Sequence, residues 1–186
     1  DACIGGLVGL LDNAEREVLL SLQYLDMDWS YGWGENPIIT ALEDAAARGV
    51  RLRLIINGAY LDDGIQSAVD TFNEQWNHTE GYDTAAIVMA SDDAVTKLHN
   101  KGIIVDDEHV LVSSINWGDS ALIRNREMGL VLSSTDLAQA YTEAWWADWN
   151  RLDNTTDTDQ DGLVDRWEVE FGLERTRRST GESTDE

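Results

Sequence analysis

Apolar residues Ile4, Leu7, Val8, Leu11 and Ala14 recur at helical spacing, and the chain then passes into the strand-like run VLLSLQYL at 18–25. After an aromatic loop, MDWSYGWGEN, Asn36 and Pro37 supply an N-cap and a first-turn residue for a helix that runs to about Arg48 and stops at Gly49. VRLRLII at 50–56 reads as a strand, residues 62–78 as a helix opened by Asp62 and Asp63, and AAIVMA at 85–90 as a short buried strand. KLHNKGIIV and HVLVSSI then predict a hairpin about the turn DDE, and EMGLVL at 127–132 a further strand. STDLAQAYTEAWWADWN begins with a Ser/Thr/Asp cap and continues as an amphipathic helix, with Trp145, Trp146 and Trp149 on its core face.

Alternating helices and strands with a late hairpin imply an α/β fold, a mixed sheet sandwiched between helices. The pattern places one domain over 1–150, a distinct polar unit over 151–174, and a tail over 175–186 without apolar anchors, expected to be disordered. In the polar unit Asp157, Asp159, Asp161, Gly162, Asp165 and Glu168 take positions 1, 3, 5, 6, 9 and 12 of a calcium loop, with the Leu163 carbonyl at position 7. Alternating carboxylates suit a cation that takes oxygen ligands, and the glycine permits the sharp turn. The segment is similar to the EF-hand-like DxDxDGxxD modules of secreted proteins, which implies a structural Ca2+ and a secreted or cell-surface location.

Composition changes the picture in one respect. The 36 acidic and 13 basic residues leave a formal charge of -23, but 42% hydrophobic residues and 8 tryptophans exclude wholesale disorder, so that charge covers a folded surface. Such a surface repels itself until molar salt shortens the Debye length to about 3 Å; with lysine almost absent, this is a halophilic pattern. It argues against broad attraction to nucleic acid or anionic membrane, so any anion must be held locally. Cys3 stands alone, which leaves no disulfide within the chain, and no stretch approaches the roughly 20 apolar residues of a spanning helix. The start at Asp1, with no methionine or signal-peptide pattern, reads as a processed product or a fragment.

Both lysines, Lys97 and Lys101, lie beside His99 in the first strand of the hairpin. Side chains two apart in a strand share a face, so His99 and Lys101 are expected to point together and Asn100 away. An imidazole can act as nucleophile or proton carrier, and a neighbouring ammonium can neutralise a phosphate oxygen, a pairing suited to phosphoryl chemistry. His99, Lys101 and Asp106 form H-x-K-x-x-x-x-D, then Ser113, Ser114 and Asn116 stand where the pattern continues G-S-x-N, and RNREMGLVL brings Glu127 to the place of an acid. Together these residues resemble the phospholipase D superfamily over roughly residues 5–150. Ser113 departs from the usual glycine and adds a side chain at a tight backbone position.

The resemblance implies a phosphodiester hydrolase or phosphatidyl transferase in which His99 attacks phosphorus to give a phosphohistidine. Lys101 and Asn116 would hold phosphoryl oxygens, Ser114 would donate a hydrogen bond, and Glu127 would accept one from a histidine ring, favouring the imidazolium. Asp106, at the hairpin turn, would orient neighbouring groups, and the route needs no metal. A second histidine, from a second copy of the motif, would protonate the leaving alkoxide. Neither His78 nor His109 has a lysine two residues later. The second copy is therefore expected from a half absent from this chain, which the start at Asp1 favours, or from a homodimer partner. A nuclease of the same superfamily and a non-catalytic binding half are the alternatives. Trp29, Tyr31 and Trp33 could form a lip for an acyl chain, a platform for bases, or a loop packed on its own domain. Arg124 and Arg126 could face phosphate or the acidic surface.

Overall fold

The computed structural model describes residues 2–29, 36–59, 63–89 and 96–152. The alternating pattern becomes α1 (Ala2–Asp12), β1 (Glu17–Leu22), α2 (Pro37–Ala47), β2 (Arg51–Asn57), α3 (Asp63–Asp70) and β3 (Asp83–Met89). There follow β4 (Lys101–Val105), β5 (His109–Ser113), β6 (Gly129–Ser133) and α4 (Thr135–Leu152). The helix that begins after the aromatic loop starts where its cap demands. The Asn36 side chain accepts the Ile38 N–H at 3.0 Å, and Pro37 occupies the first turn, where a missing N–H costs nothing.

The strands form a sheet in the order β3-β2-β1-β4-β5-β6, parallel from β3 to β1 and antiparallel from β1 to β6. Val18, Leu20 and Leu22 pair with Val105, Ile103 and Lys101, so these alternate residues share one face. On that face they join Leu52, Leu54 and Ile56 of β2 and meet Leu7 and Leu11 of α1, Leu42 of α2 and Ile65 of α3 in a buried core. The opposite face, with Leu19, Ser21, Gly102 and Ile104, lies against α4. There the Trp145 indole donates to the Leu20 carbonyl at 3.1 Å, and its ring stacks on Trp149 with centroids 5.0 Å apart. The expected mixed sheet between helices is the observed architecture. Among the described residues no helix is long and apolar enough to cross a membrane.

Two expectations change in detail. The helix expected over 62–78 is α3 followed by a π-helical stretch, Thr71–Trp76. The wider turn serves the sheet edge. Asn73 donates to the Ala86 carbonyl at 2.9 Å and accepts the Ala86 N–H at 2.7 Å, and Thr84 donates to the Phe72 carbonyl at 2.7 Å. One amide side chain thus pairs with Ala86 on the outer edge of β3 as a neighbouring strand would. The strand expected from residue 97 begins only at Lys101, because His99 and Asn100 are exposed and β5 ends at Ser113, leaving no ladder for them on that side.

The β4–β5 turn has Asp106 and Asp107 in the left-handed region, at φ 56 and 55, closed by Glu108 N–H to the Val105 carbonyl at 3.0 Å. Aspartate tolerates that conformation better than most residues. The Asp106 carboxylate then accepts the N–H groups of Glu15, Arg16 and Glu17, each at 2.8 Å, and its backbone carbonyl accepts from the Arg16 guanidinium. It ties the hairpin turn to the start of β1, some 90 residues earlier in sequence. A hydrogen bond to an ionised group is worth about 1.5–3 kcal/mol, and those from Glu15 and Arg16 count for less because they are exposed to solvent. Asp106→Ala is therefore expected to lower the unfolding free energy by about 2–3 kcal/mol in a denaturant titration, with Asp106→Asn losing less. A change below about 0.5 kcal/mol, the usual range for a surface substitution, would contradict this role.

Candidate active site

Because β4 runs antiparallel to β1, its first residue lies beside the last residue of β1, and Leu22 pairs with both Lys101 and Ile56. Gln23 follows directly on β1, and Asn57 is the last residue of β2. Gln23, Asn57 and Lys101 are buried polar residues gathered at one end of the sheet. Crevices at the carboxyl ends of parallel strands are the usual place for ligands in such sheets.

Lys101 is 8% exposed. Its ammonium donates to the backbone carbonyl of His99 at 2.8 Å and to the side-chain oxygen of Gln23. Gln23 is fixed in turn by its own N–H, which donates to the Asn100 carbonyl at 2.9 Å and extends the β1–β4 ladder by one step. Burial pulls the Lys101 pKa down, the charge of Lys97 adds to this, and Glu127 opposes it. His99 is exposed and precedes the strand, so strand alternation does not set its direction. The histidine and lysine are instead joined through the His99 carbonyl. The neighbouring Lys101 charge lowers the His99 pKa, with desolvation and Lys97 adding to it, so the ring stays neutral and nucleophilic further into the acid range.

The segment after β5 is laid against the extension of β1. Trp117 donates to the Tyr24 carbonyl at 3.3 Å, and Asp26 donates to the Trp117 carbonyl at 3.0 Å. Gly118 permits this approach, since a Cβ there would stand 2.4 Å from an Asp26 carboxylate oxygen. The Ser113 hydroxyl, in place of a glycine, donates to the Lys101 carbonyl at 2.5 Å and so fastens the end of β5 to the start of β4. The Ser114 hydroxyl donates to Glu127 at 2.5 Å and accepts the Met128 N–H at 3.1 Å. Its proton is therefore committed to the carboxylate. Asn125 also donates to Glu127, at 3.0 Å. These two bonds, Ser114 first, and then the Lys101 charge hold the Glu127 carboxyl below its ordinary range. The described side-chain bonds of Glu127 are thus those from Ser114 and Asn125, and the expected bond from a histidine ring is not among them. The Asn116 side-chain oxygen is buried with no hydrogen-bond partner; a half-turn of that amide would present its N–H donors instead.

The structure brings His99, Lys101, Ser114 and Glu127 to one end of the sheet and places Asp106 at the other. Asp106 lies five positions beyond Lys101, a span of roughly 16 Å at about 3.3 Å per residue, and two positions further from His99. A carboxylate that far away, with three backbone N–H groups on it, holds the scaffold and not the substrate. His109 is also remote, pairing opposite Val105 and bonding Ser133 at 2.9 Å. Trp29 is buried, which removes it from a lip; Tyr31 and Trp33 lie outside the described residues. So do Asp157, Asp159, Asp161, Leu163, Asp165 and Glu168. Among the described residues no group of three or more His, Cys, Asp or Glu is placed to hold a metal ion. Sequence reasoning misses Gln23 and Asn125. The signal for Gln23 is its position as the one amide in the apolar run VLLSLQYL.

A groove of about 420 Å³ opens beside His99 on the face covered by α4, walled by Leu19, Ile104, Val112, Tyr141 and Trp145. The lowered His99 pKa gives a direct expectation for this end of the sheet. Carbethoxylation requires neutral imidazole, so its pH midpoint at His99, resolved from His78 and His109 by peptide mass mapping, is expected below 6.5. Lys101→Met should move that midpoint upward. A midpoint that ignores the substitution would show that the lysine charge does not reach the ring.

Residues 7–149 match the family described as "Cardiolipin synthase, PLD-like domain". The "Phospholipase D" of Rickettsia conorii is 26% identical over 143 residues, which make up 77% of this chain and 62% of that protein. The "Mitochondrial cardiolipin hydrolase" of Mus musculus is 28% identical over 109 residues, 58% of this chain and 44% of that protein. The chain thus spans less than two thirds of the length of either. Among solved structures, NucT from Helicobacter pylori has a TM-score of 0.62 at 16% identity, covering 81% of this chain and 89% of that one. The phosphatidylserine synthase of Haemophilus influenzae Rd KW20 has a TM-score of 0.60 at 14% identity, covering 82% of this chain and 36% of that one. At such identities the structural likeness concerns the fold. The family match, by contrast, takes in every strand of the sheet and all the residues gathered around Lys101. On that ground the chain belongs to the PLD-like family, within the phospholipase D superfamily.

Proposed function

We propose that this chain supplies one half of a metal-independent phosphodiesterase site that hydrolyses or transfers a phosphatidyl group. A ring nitrogen of His99 attacks phosphorus and forms a P–N bond as the P–O bond to the leaving alkoxide breaks, and a second histidine gives that alkoxide its proton. Water, or an alcohol in a transfer, then attacks phosphorus, loses its proton to the second histidine and releases His99. The observation that carries this reading is the buried ammonium of Lys101, tied to the carbonyl of the exposed His99. A fixed positive charge beside a neutral imidazole suits an anionic phosphodiester, and no broad electrostatic attraction is needed.

The second histidine comes from another half, either elsewhere in a longer protein or in a second subunit, because this sequence holds one H-x-K motif. The edge strand supports docking next to Glu127. Met128, Leu130 and Val131 are 80%, 58% and 46% exposed, an apolar sheet edge of the kind that proteins normally cover. A phospholipid is favoured over nucleic acid on two grounds. The net charge of -23 opposes a polyanion, and the groove beside His99 joins apolar walls, Leu19, Ile104 and Val112, to polar ones, Ser21, Ser113 and Asp148, as an amphipathic ligand would need. The spacing of Asp157, Asp159, Asp161, Asp165 and Glu168 supports a structural calcium ion in the C-terminal loop, apart from the chemistry.

At molar KCl an assembly that contains both halves is expected to cleave phosphatidylcholine vesicles in preference to single-stranded DNA, with turnover indifferent to EGTA. His99→Ala should lose turnover by roughly 10³-fold or more. Unchanged turnover in His99→Ala would sink the mechanism, whereas DNA cleavage lost in the same variant would keep it and change the substrate. Calorimetric titration with CaCl2 tests the loop: uptake lost in Asp157→Ala is expected, and no uptake by the parent chain would remove the calcium site.

A further inference from the structure

Lys101 is the one buried lysine among the described residues, and its environment has a structure of its own. An ammonium has three N–H donors. One goes to the His99 carbonyl at 2.8 Å and one to the Gln23 side-chain oxygen, which among the described residues leaves the third for a ligand. Both acceptors are neutral. Had a carboxylate stood at residue 23, it would hold the lysine more strongly but cancel the field that an incoming anion should meet. A neutral carbonyl stabilises the ammonium and leaves its charge uncancelled. Gln23 can do this because its place is set before any ligand arrives. The residue is 7% exposed, it follows Leu22 directly, and its backbone N–H is engaged by the Asn100 carbonyl at 2.9 Å. The charged groups that bear on Lys101 are Lys97 and Glu127. Glu127 is engaged by Ser114 and Asn125, so Gln23 is the side chain that holds the ammonium directly.

We infer that Gln23 is a positioning residue for the phosphodiester site, its side-chain oxygen fixing the Lys101 ammonium beside His99 with one N–H left for a phosphoryl oxygen and no negative charge added. This rests on the reading of Lys101 as the phosphate anchor. It makes a distinctive demand on substitution. Gln23→Leu removes the acceptor, and Gln23→Glu keeps the shape and adds a charge. The two changes should move the lysine's proton affinity in opposite directions while both weaken the binding of an anion. A residue that merely filled space would not behave so.

The sequence makes the test clean, since Lys97 and Lys101 are its only lysines. Labelling lysine with ¹³C at Cε gives two signals, assigned with Lys97→Arg and followed by pH titration. In Gln23→Leu the Lys101 midpoint is expected to fall, and in Gln23→Glu to rise. Inorganic phosphate, followed through the same Lys101 signal, should bind roughly tenfold more weakly in both, on the scale of one hydrogen bond to a charged group: the leucine variant leaves the ammonium unplaced, and the glutamate variant cancels its charge. Near-ultraviolet circular dichroism from the tryptophans checks folding; if the leucine variant unfolds, the glutamate variant carries the test alone. A Lys101 midpoint that stays put in the folded variants overturns the inference, as does unaltered phosphate affinity. If the parent chain's Lys101 signal ignores phosphate altogether, the phosphodiester reading fails, and the midpoints still decide whether Gln23 holds the ammonium.

Discussion

The antiparallel pairing of β4 with β1 is the constraint on which the rest depends. β1 is the strand where the sheet changes from parallel to antiparallel, and reversing β4 there sets the start of one strand against the end of the other. Gln23 and Lys101 are 78 residues apart in sequence and share a hydrogen bond for this reason alone. The same reversal puts the β4–β5 turn at the opposite end, where Asp106 clamps it to the start of β1. A slip of one residue between β1 and β4 would turn Lys101 to the other face and remove both contacts. The clamp therefore serves the site from a distance of the whole strand, although it touches no ligand.

Electrostatics divides the molecule into two regimes. Over most of the surface, charge is abundant, solvated and screened by salt. Around Lys101, itself buried, it is sparse, and each interaction has an identifiable partner. Burial lowers the lysine's pKa, and the lysine in turn lowers that of His99. Glu127 is held ionised by Ser114 and Asn125. Its carboxylate lies next to an exposed apolar edge, so a second half docking there would meet both a hydrophobic surface and a poised acid.

How much of this is legible in the sequence depends on the range of the interaction. The order of helices and strands follows from local periodicity, and the Asn36–Pro37 start of α2 from local capping. The spacing of His99, Lys101, Ser114, Asn116 and Glu127 is legible because the hairpin that unites them is contiguous. Gln23 is not, since only the register of β1 on β4 brings it to Lys101. The use of the Ser114 proton is equally hidden, because it depends on where the segment 114–128 folds back on itself. The start of β4 at Lys101 is missed for a related reason: KLHN has a strand's composition, but β5 ends before reaching it. The π-helical stretch follows from tertiary demand, the need to put Asn73 against Ala86, and periodicity carries no sign of that.

If His99 is the nucleophile of the proposed reaction, it becomes covalently phosphorylated. Bis(p-nitrophenyl) phosphate tests this most directly, because its leaving group departs without a proton and the second histidine is not required for the first step. The chain would be mixed with this substrate, quenched in base to preserve phosphohistidine, and mapped by peptide mass spectrometry. A p-nitrophenyl phosphoryl adduct on His99 is expected, formed as one equivalent of p-nitrophenolate leaves and missing from His99→Ala. Release of p-nitrophenolate with no adduct, or with the adduct on another residue, would contradict it.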